Sequence, residues 1–436
     1  MNCYFLTFGC KVNTCETASM QTMLRSAGHC IVTTPEEADV CILNSCTVTE
    51  SGDNRTRAAL RKLRRSYPDM LLVLTGCYAQ AYPEQAESIP EADLVLGTKG
   101  RSRLPELLET WQQTHTPCGA VDAYTGHDTF EALPCDIMPD NTRAFLKIQD
   151  GCNCFCSYCI IPYARGRCRS LPPEELRRAA STFAEHGYQE LVLCGINLGF
   201  YGMEWGGSLA DAVELCCTIP GIRRVRLSSL EPERMTDEVL DRLAALPQFC
   251  PQFHLSLQSG CDRTLARMNR KIDQAQIRAL IAKLRERVPG IMIRSTFIVG
   301  FPGETEAAYN NLLNFLEEVQ LDRVGVFPYS QEENTPAGRM PDQLDEAVKE
   351  ERAQNLMDIQ FEIMFANHQR LIGETRHVLV DDIEDGMLLC RSQSEAPDID
   401  PYVIVPVADV SAYEIGQELD VVISDVHEYD LIGSLV

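Results

Sequence analysis

Residues 145–170, FLKIQDGCNCFCSYCIIPYARGRCRS, place three cysteines directly after a short apolar segment that predicts a β-strand. Cys152, Cys156 and Cys159 have the spacing C-x3-C-x2-C. Three thiolates in one loop can satisfy three irons of a 4Fe-4S cluster and leave the fourth iron open for another ligand. A C-x2-C pair is also typical of zinc, so a structural metal site is the alternative. Cys154 lies inside the same loop, and we expect no role for it.

The bulk composition indicates a soluble protein of two or three domains. The chain has 436 residues, 45% of them apolar, and a formal net charge of −24. It starts without an export signal and contains no apolar run long enough to span a bilayer, so we expect a cytoplasmic protein with no membrane association. The chain has 20 cysteines. In a reducing compartment, we expect those that cluster together to bind metal rather than form disulfides. The negative charge argues against a generally nucleic-acid-binding surface.

The first part of the chain alternates strand and helix patterns. Residues 3–8, 39–43 and 71–74 predict buried strands, and residues 18–27 predict a helix. This alternation is typical of an α/β fold, and we expect residues 1–112 to form a doubly wound parallel-sheet domain. Residues 113–138 become irregular and polar, which indicates a linker.

The remaining chain predicts two further domains. Residues 139–368 contain six apolar strands separated by helical stretches, which favours a partial β/α barrel with its active site at the carboxyl ends of the strands. The six predicted strands are 144–148, 190–193, 225–227, 254–257, 292–299 and 323–327. Residues 369–436 are rich in short β patterns and predict a small β-barrel. From Glu374 onward this segment carries 15 acidic and two basic residues, Arg376 and Arg391.

The quoted stretch resembles the radical S-adenosylmethionine (SAM) methylthiotransferases, and the resemblance extends over nearly the whole chain. The amino-terminal motifs TFGCKVN (7–13), NSCTV (44–48) and TGC (75–77) are similar to that family's three-cysteine domain. The resemblance implies that Cys10, Cys46 and Cys77 hold a second, auxiliary 4Fe-4S cluster. Each cysteine also follows a predicted parallel strand, and such loops converge at one edge of a sheet. Taken singly, each of the three would more often be a buried thiol.

The resemblance also implies a SAM site at the ends of the barrel strands and a TRAM-like final domain. The segments LCGINLG (193–199), RLSSLEP (226–232) and IVGFPGE (298–304) follow predicted strands. The residues expected to bind SAM there are Gly195, Asn197, Arg226, Ser228, Gly300 and Gly303. For Gly300 and Gly303 a plain strand-to-helix turn is the alternative.

The implied reaction uses two SAM molecules. One methylates a sulfur on the auxiliary cluster, and the other is cleaved at the cluster of Cys152, Cys156 and Cys159 to start radical chemistry. The methylthio group is then transferred to an unactivated carbon, a step that needs cofactor chemistry rather than acid–base catalysis. We expect a monomer that takes electrons from a low-potential donor such as flavodoxin or ferredoxin.

The acceptor expected from the resemblance is N6-threonylcarbamoyladenosine in the anticodon stem-loop of tRNA. Four segments are similar to the tRNA-modifying branch: GCKVN (9–13), RLSSLEP (226–232), HLSLQSG (254–260) and FPYS (327–330). Two others, SEAPDID (394–400) and EYDLIG (428–433), are similar to the branch that modifies an aspartate of a ribosomal protein. An acidic barrel suits a basic protein better than RNA, so a protein acceptor is one alternative.

Two further interpretations stay open. A non-enzymatic iron–sulfur or zinc protein that binds RNA would not cleave SAM. The basic stretch 55–65 is either a solvated helix face or a phosphate contact for an RNA ligand.

Overall fold

The computed structural model describes residues 1–47, 50–138, 142–332, 334–397 and 399–436. Val48 of the predicted motif 44–48 and the expected domain start at residue 139 lie outside this part of the chain. The α/β class is confirmed: a parallel-sheet domain is followed by a β/α barrel and a small closed barrel.

The amino-terminal domain is a six-stranded parallel sheet with strand order β2-β1-β3-β4-β5-β6. Its strands are β1 (Asn2–Thr7), β2 (Cys30–Ile31), β3 (Val40–Ser45), β4 (Leu71–Gly76), β5 (Leu94–Leu96) and β6 (Cys118–Ala120). Its helices are α1 (Lys11–Ser26), α2 (Glu50–Ser66), α3 (Cys77–Ala81), α4 (Pro83–Glu87) and α5 (Leu104–Thr114). Helices pack on both faces, so β3 and β4 are buried throughout, as apolar parallel strands require.

The strand order of this sheet reverses between β1 and β3. At such a reversal the loops after the two strands leave in opposite directions and open a crevice at the carboxyl edge of the sheet. The segment expected to be an irregular linker, 113–138, is partly structured. The helix α5 ends at Thr114, and β6 adds the sixth strand beside β5. The strand β6 has only three residues and pairs with a single neighbouring strand. Its sequence is too short to show the alternating pattern that would predict a strand.

The central domain has the six predicted barrel strands. They form two parallel sheets, β11-β10-β7 and β12-β13-β14-β15, joined by a bridge between Val225 and Phe249. The strands are β7 (Arg143–Lys147), β10 (Glu190–Cys194), β11 (Arg224–Leu227), β12 (Ser229–Leu230), β13 (Gln252–Gln258), β14 (Met292–Val299) and β15 (Arg323–Pro328), with the short antiparallel pair β8 (Gln149–Asp150) and β9 (Arg169–Ser170). The helices are α6 (Ile161–Arg165), α7 (Pro173–Glu185), α8 (Leu209–Cys217), α9 (Asp237–Ala244), α10 (Asp262–Arg267), α11 (Gln274–Arg287), α12 (Glu306–Val319) and α13 (Glu346–Gln369).

The last domain is a closed five-stranded barrel with strand order β16-β17-β18-β20-β19. Its strands are β16 (Thr375–Glu384), β17 (Met387–Arg391), β18 (Val403–Pro406), β19 (Glu418–His427) and β20 (Asp430–Leu435). Alternating apolar residues of these strands fill its centre. In the described part of the chain, no helix is long and apolar enough to cross a membrane. The location of the protein in the cell stays a prediction from the sequence.

Buried ion pairs fasten this small barrel to the amino-terminal ends of the central strands, which we call the barrel floor. Glu190, at the start of β10, accepts from Arg226 Nε at 3.0 Å and from Arg391 Nη1 at 2.8 Å. Arg391 also pairs with Asp381 at 2.8 Å. Glu190, Arg226 and Arg391 are each at most 2% exposed. Burial alone would raise the pKa of Glu190, but Arg391 and Arg226 outweigh it and hold this pKa at about 2.

Replacing Glu190 should destabilise the protein in a pH-dependent way. Glu190→Gln leaves two buried guanidinium groups without their counter-charge, so we expect a loss of about 3–5 kcal/mol in the free energy of unfolding. Because the folded pKa lies below the ordinary value of 4.5, the difference from wild type should be full above pH 4.5 and fade as the pH falls toward 2. Urea unfolding at several pH values measures it.

The matched control is Arg178→Gln, which removes an exposed pair with Glu175. It should change stability by less than about 0.5 kcal/mol. Equal effects of the two substitutions, or a Glu190→Gln effect independent of pH, would contradict this account of the floor.

Candidate active site

Cys10, Cys46 and Cys77 follow β1, β3 and β4 at the crevice where the strand order reverses. Cys46 comes directly after β3, and Cys77 comes directly after β4 as the first residue of α3. Gly9 has φ +112°, and a Cβ there would lie 2.9 Å from Cys46 Cβ, so only glycine lets the Cys10 loop approach Cys46 this closely. The structure therefore brings together three loops that are far apart in sequence.

Asn13 holds the loops of this cysteine group in place. Its side-chain Nδ2 donates to the carbonyls of Phe8 and Ser45, each at 2.9 Å, and its Oδ1 accepts from Cys10 Sγ at 3.9 Å. Asn13 is fully buried. The residue belongs to the motif 7–13, but the sequence alone did not indicate that it spans two strand ends.

The second cysteine group lies in the loop between β8 and α6. Cys152 and Cys156 are buried and Cys159 is half-buried. The backbone N–H of Cys152 donates to the carbonyl of Gly166 at 3.1 Å, which closes the loop at its base. A hydrogen bond from Cys154 holds the pKa of the Cys152 thiol below its ordinary value despite its burial. The expectation that Cys154 has no role as a ligand stays a prediction.

Asn197, one of the residues expected at the SAM site, lies beside this loop, and Ser228 follows β11, where its backbone N–H donates to the carbonyl of Leu193 at 3.0 Å. Asn197 is 1% exposed, and its Nδ2 lies 3.8 Å from Cys152 Sγ. Its Oδ1 and the hydroxyl of Ser228 are both buried without a hydrogen-bond partner. Since unpaired buried acceptors are costly, these atoms fit a polar ligand bound next to the cysteine loop. A Cβ on Gly195 would come within 3.0 Å of the Gln149 side chain, so this turn needs glycine for packing.

The structure places one other predicted residue, Arg226, away from the expected site, and it packs protein side chains beside two more, Gly300 and Gly303. The guanidinium of Arg226 points to the barrel floor, where it pairs with Glu190 and donates to the carbonyl of Gln393 at 2.9 Å, so it does not face the cysteine loop. The space beside Gly300 holds Lys349 and the space beside Gly303 holds Arg267. The room that these two glycines leave is filled by side chains of the protein itself. The expectation that their backbone approaches SAM stays a prediction.

Sequence reasoning missed Arg270 and Glu231. Arg270 Nη1 lies 3.8 Å from Cys156 Sγ, and the same guanidinium forms ion pairs with Glu231 and Glu233. The side chain of Arg270 is 1% exposed. Hydrogen bonds and positive charge beside a ligand sulfur tune an iron–sulfur cluster. Arg270 lies over 100 residues from the cysteine loop, and the segment RMNRKI that contains it gave no signal of its own.

A cleft of about 1900 Å³ separates the amino-terminal domain from the mouth of the barrel. Cys159 and Tyr158 of the cysteine loop line it, together with Thr296 and Ile298 near the carboxyl end of β14. One wall is the basic face of α2, formed by Arg55, Arg57 and Arg61. The opposite wall carries Glu332, Glu346 and Glu350 and the exposed ring of Phe327.

Both cysteine groups fit 4Fe-4S clusters, and the unpaired polar atoms that follow β10 and β11 fit a polar ligand such as SAM. The donors are three thiols in each case, and Asn197 and Ser228 supply the unpaired acceptors. Within the described residues, no three His, Cys, Asp or Glu side chains are arranged for a single metal ion. A cubane differs, because each thiolate binds a different iron and the sulfurs stay apart.

Three family models match the chain. The model described as uncharacterized protein family UPF0004 covers residues 2–97, the radical SAM superfamily model covers 146–316, and the TRAM domain model covers 372–436. These matches coincide with the parallel-sheet domain, the β/α barrel and the closed small barrel.

Curated relatives fall into two groups. The threonylcarbamoyladenosine tRNA methylthiotransferase MtaB of Bacillus subtilis is 39% identical over 81% of this chain and 79% of its own length. The ribosomal protein uS12 methylthiotransferase RimO of Clostridioides difficile is 35% identical over 99% of this chain and 98% of its own length. RimO of Geobacter sulfurreducens is also 35% identical, over 99% and 98%.

Solved structures share the fold. A radical SAM methyltransferase, TsrM from Kitasatospora setae, has a TM-score of 0.57 at 15% identity, with 77% of each chain covered. The radical SAM enzyme OxsB has a TM-score of 0.54 at 13% identity, with 83% of this chain and 56% of that chain covered. With the motifs, the three domain matches and the curated relatives, the conclusion is direct: the chain belongs to the radical SAM methylthiotransferase family, an enzyme type that uses SAM and two 4Fe-4S clusters.

Proposed function

We propose that this methylthiotransferase acts on tRNA and inserts a 2-methylthio group into N6-threonylcarbamoyladenosine beside the anticodon. The observation that carries the proposal is the basic wall of the cleft. Arg55 and Arg61 are exposed on α2 and line the same cavity as Cys159. If these guanidinium groups pair with the phosphates of an RNA loop, that loop would lie next to the cysteine loop.

The position of Arg55 also favours an acceptor close to the amino-terminal cysteines. Its guanidinium lies over the ring of Phe8 at 4.8 Å from the centroid, two residues before Cys10. Across the cleft, the ring of Phe327 is 57% exposed and available for stacking on an unpaired base. An RNA loop is therefore a chemically suitable occupant, with phosphates on one wall and a base on the other.

We assign Cys152, Cys156 and Cys159 to the cluster that binds SAM, and Cys10, Cys46 and Cys77 to the auxiliary cluster. When bound, these cofactors supply radical cleavage of SAM and the sulfur that is transferred. Asn197 and Ser228 would orient SAM through their unpaired oxygens. Arg270 would hold Cys156, and Tyr158 would form part of the cleft wall that shields the site from water. Electrons would come from a low-potential donor such as flavodoxin or ferredoxin.

A ribosomal-protein acceptor is the second candidate, because the charge of the last domain favours it. Residues 372–436 carry 15 acidic and two basic side chains. Glu346 and Glu350 add negative charge to the far wall of the cleft. A lysine- and arginine-rich protein loop would suit these surfaces better than a phosphate backbone does.

The acceptor can be identified by mass spectrometry of a deletion strain. We expect tRNA nucleosides from that strain to lack the 2-methylthio form of threonylcarbamoyladenosine, while intact ribosomal protein uS12 keeps its wild-type mass. A plasmid copy of the enzyme should restore the nucleoside. The reverse pattern, with normal nucleosides and a lighter uS12, would replace the tRNA proposal by the protein acceptor.

The basic wall has its own test. Arg55→Gln with Arg61→Gln should weaken binding of an anticodon stem-loop and reduce the slope of log affinity against log salt by about one per arginine. The matched control is Lys62→Gln with Arg65→Gln, which removes two exposed charges of the same helix that do not line the cleft. Equal losses in both double variants would indicate a general charge effect and contradict the cleft as the binding site.

The cysteine assignments predict separate losses. Wild-type protein reconstituted without oxygen should hold about eight irons, and each triple Cys→Ala variant should hold about four. Loss of Cys152, Cys156 and Cys159 should abolish release of 5′-deoxyadenosine from SAM. Loss of Cys10, Cys46 and Cys77 should spare that release and stop sulfur insertion. Cys154→Ala is the control and should keep all the iron; full product from the second triple variant would refute the auxiliary assignment.

Asn197→Ala should weaken SAM binding. A hydrogen bond to a charged ligand contributes about 1.5–3 kcal/mol, so the dissociation constant should rise about tenfold or more. Equilibrium dialysis with labelled SAM on iron-loaded protein measures the constant, and the iron content shows whether the neighbouring cluster is intact. An unchanged constant at full iron content would remove Asn197 from the site.

A further inference from the structure

Arg165, a residue of the barrel domain, is in direct contact with a cysteine of the amino-terminal group. It ends α6, six residues after Cys159, and its Nε donates to Cys77 Sγ at 3.2 Å. The side chain is fully buried. One guanidinium therefore connects the helix that follows the SAM-cluster loop with the sulfur of a residue in the other cysteine group.

The orientation of this guanidinium is fixed by four further hydrogen bonds. Nη1 donates to Glu16 at 2.8 Å and to Asp150 at 3.2 Å. Nη2 donates to Asn13 at 3.0 Å and to Glu16 at 3.0 Å. Asn13 is the residue that also holds the Cys10 loop, and Asp150 lies two residues before Cys152. The contacts of Arg165 thus reach both cysteine groups.

A purely structural role would be to dock the two domains through Glu16. Lys147 of the barrel also pairs with Glu16, at 2.8 Å, so this docking contact does not depend on Arg165 alone. The pairing with Glu16 does not account for an N–H aimed at a sulfur. Positive charge and N–H···S hydrogen bonds stabilise the more negative, reduced state of an iron–sulfur cluster, and so raise its reduction potential.

We propose that Arg165 is a positioning residue for the auxiliary cluster, which orients the Cys77 thiolate and raises the reduction potential of that cluster. The helix α6, which follows the SAM-cluster loop, thereby influences the reduction potential of the auxiliary cluster. The inference rests on the assignment of Cys10, Cys46 and Cys77 as ligands, and it is independent of whether the acceptor is RNA or protein.

The test uses the full chain with Cys152, Cys156 and Cys159 replaced by alanine, so that only the auxiliary cluster contributes to the signal. This background should hold about four irons per chain. Its midpoint potential and electron paramagnetic resonance spectrum are then compared with those after adding Arg165→Gln or Arg165→Lys. We expect Arg165→Gln to shift the midpoint to more negative values and change the spectrum, and Arg165→Lys, which keeps the charge, to shift it less.

The matched control is Arg101→Gln in the same background. Arg101 is 1% exposed and shares Glu16, but its hydrogen bonds go to the Thr98 carbonyl and the Asn44 side chain rather than to a sulfur. Because Arg101 also carries a buried positive charge but contacts no sulfur, its replacement should shift the midpoint clearly less than Arg165→Gln does. An unaltered midpoint in Arg165→Gln at full iron content, or an equal shift in Arg101→Gln, would overturn the proposal.

Loss of iron also decides the question. If Arg165→Gln folds by circular dichroism but loses its iron, recovery of iron and spectrum in Arg165→Lys supports the positioning role. Equal iron loss in Arg165→Lys and Arg101→Gln overturns it in favour of domain docking. A background that holds no iron at all would instead refute the ligand assignment, and the inference with it.

Discussion

The burial of Glu16 between two domains is the interaction on which the arrangement of the site depends. A carboxylate at 2% exposure is tolerated only when cations surround it, and three do: Arg101 from its own domain, and Lys147 and Arg165 from the barrel. Together they hold the pKa of Glu16 far below its ordinary value against the effect of burial. The helix α1 can therefore lie against the barrel with its charged residue inside the interface.

The same network has more cations than anions. Asp150 is the second anion, and it pairs with Lys147, Arg165 and Arg169. Thiolate-ligated clusters are anionic, so a surplus of buried positive charge between the two cysteine groups suits the cofactors of this family. The positive charges that join the two domains would therefore also stabilise the anionic clusters.

Strand patterns predicted most of the fold, and cysteine spacing predicted the group at 152–159, because both depend on local sequence. The amino-terminal cysteine group was assigned from the family resemblance. The six barrel strands appear within two residues of their predicted ends, and Cys10, Cys46 and Cys77 meet as the topology of a parallel sheet requires. The interaction partners of individual side chains could not be predicted in this way. Arg226 was expected at the mouth of the barrel but pairs with Glu190, and Gly300 makes room for Lys349. Such contacts join residues from distant segments of the chain. Neither the hydrophobic periodicity nor the spacing of residues in the sequence predicts them.

The attachment of the last domain sets a length scale for the acceptor. Arg391 and Asp400 reach the barrel floor, whereas the cleft opens at the carboxyl ends of the same strands. The strand β14 has eight residues, which at about 3.3 Å each corresponds to roughly 26 Å between the two ends. A free nucleoside in the cleft is too small to reach the acidic domain at the same time. An acceptor that contacts both must extend over about this distance, so the architecture would select by molecular reach as well as by charge.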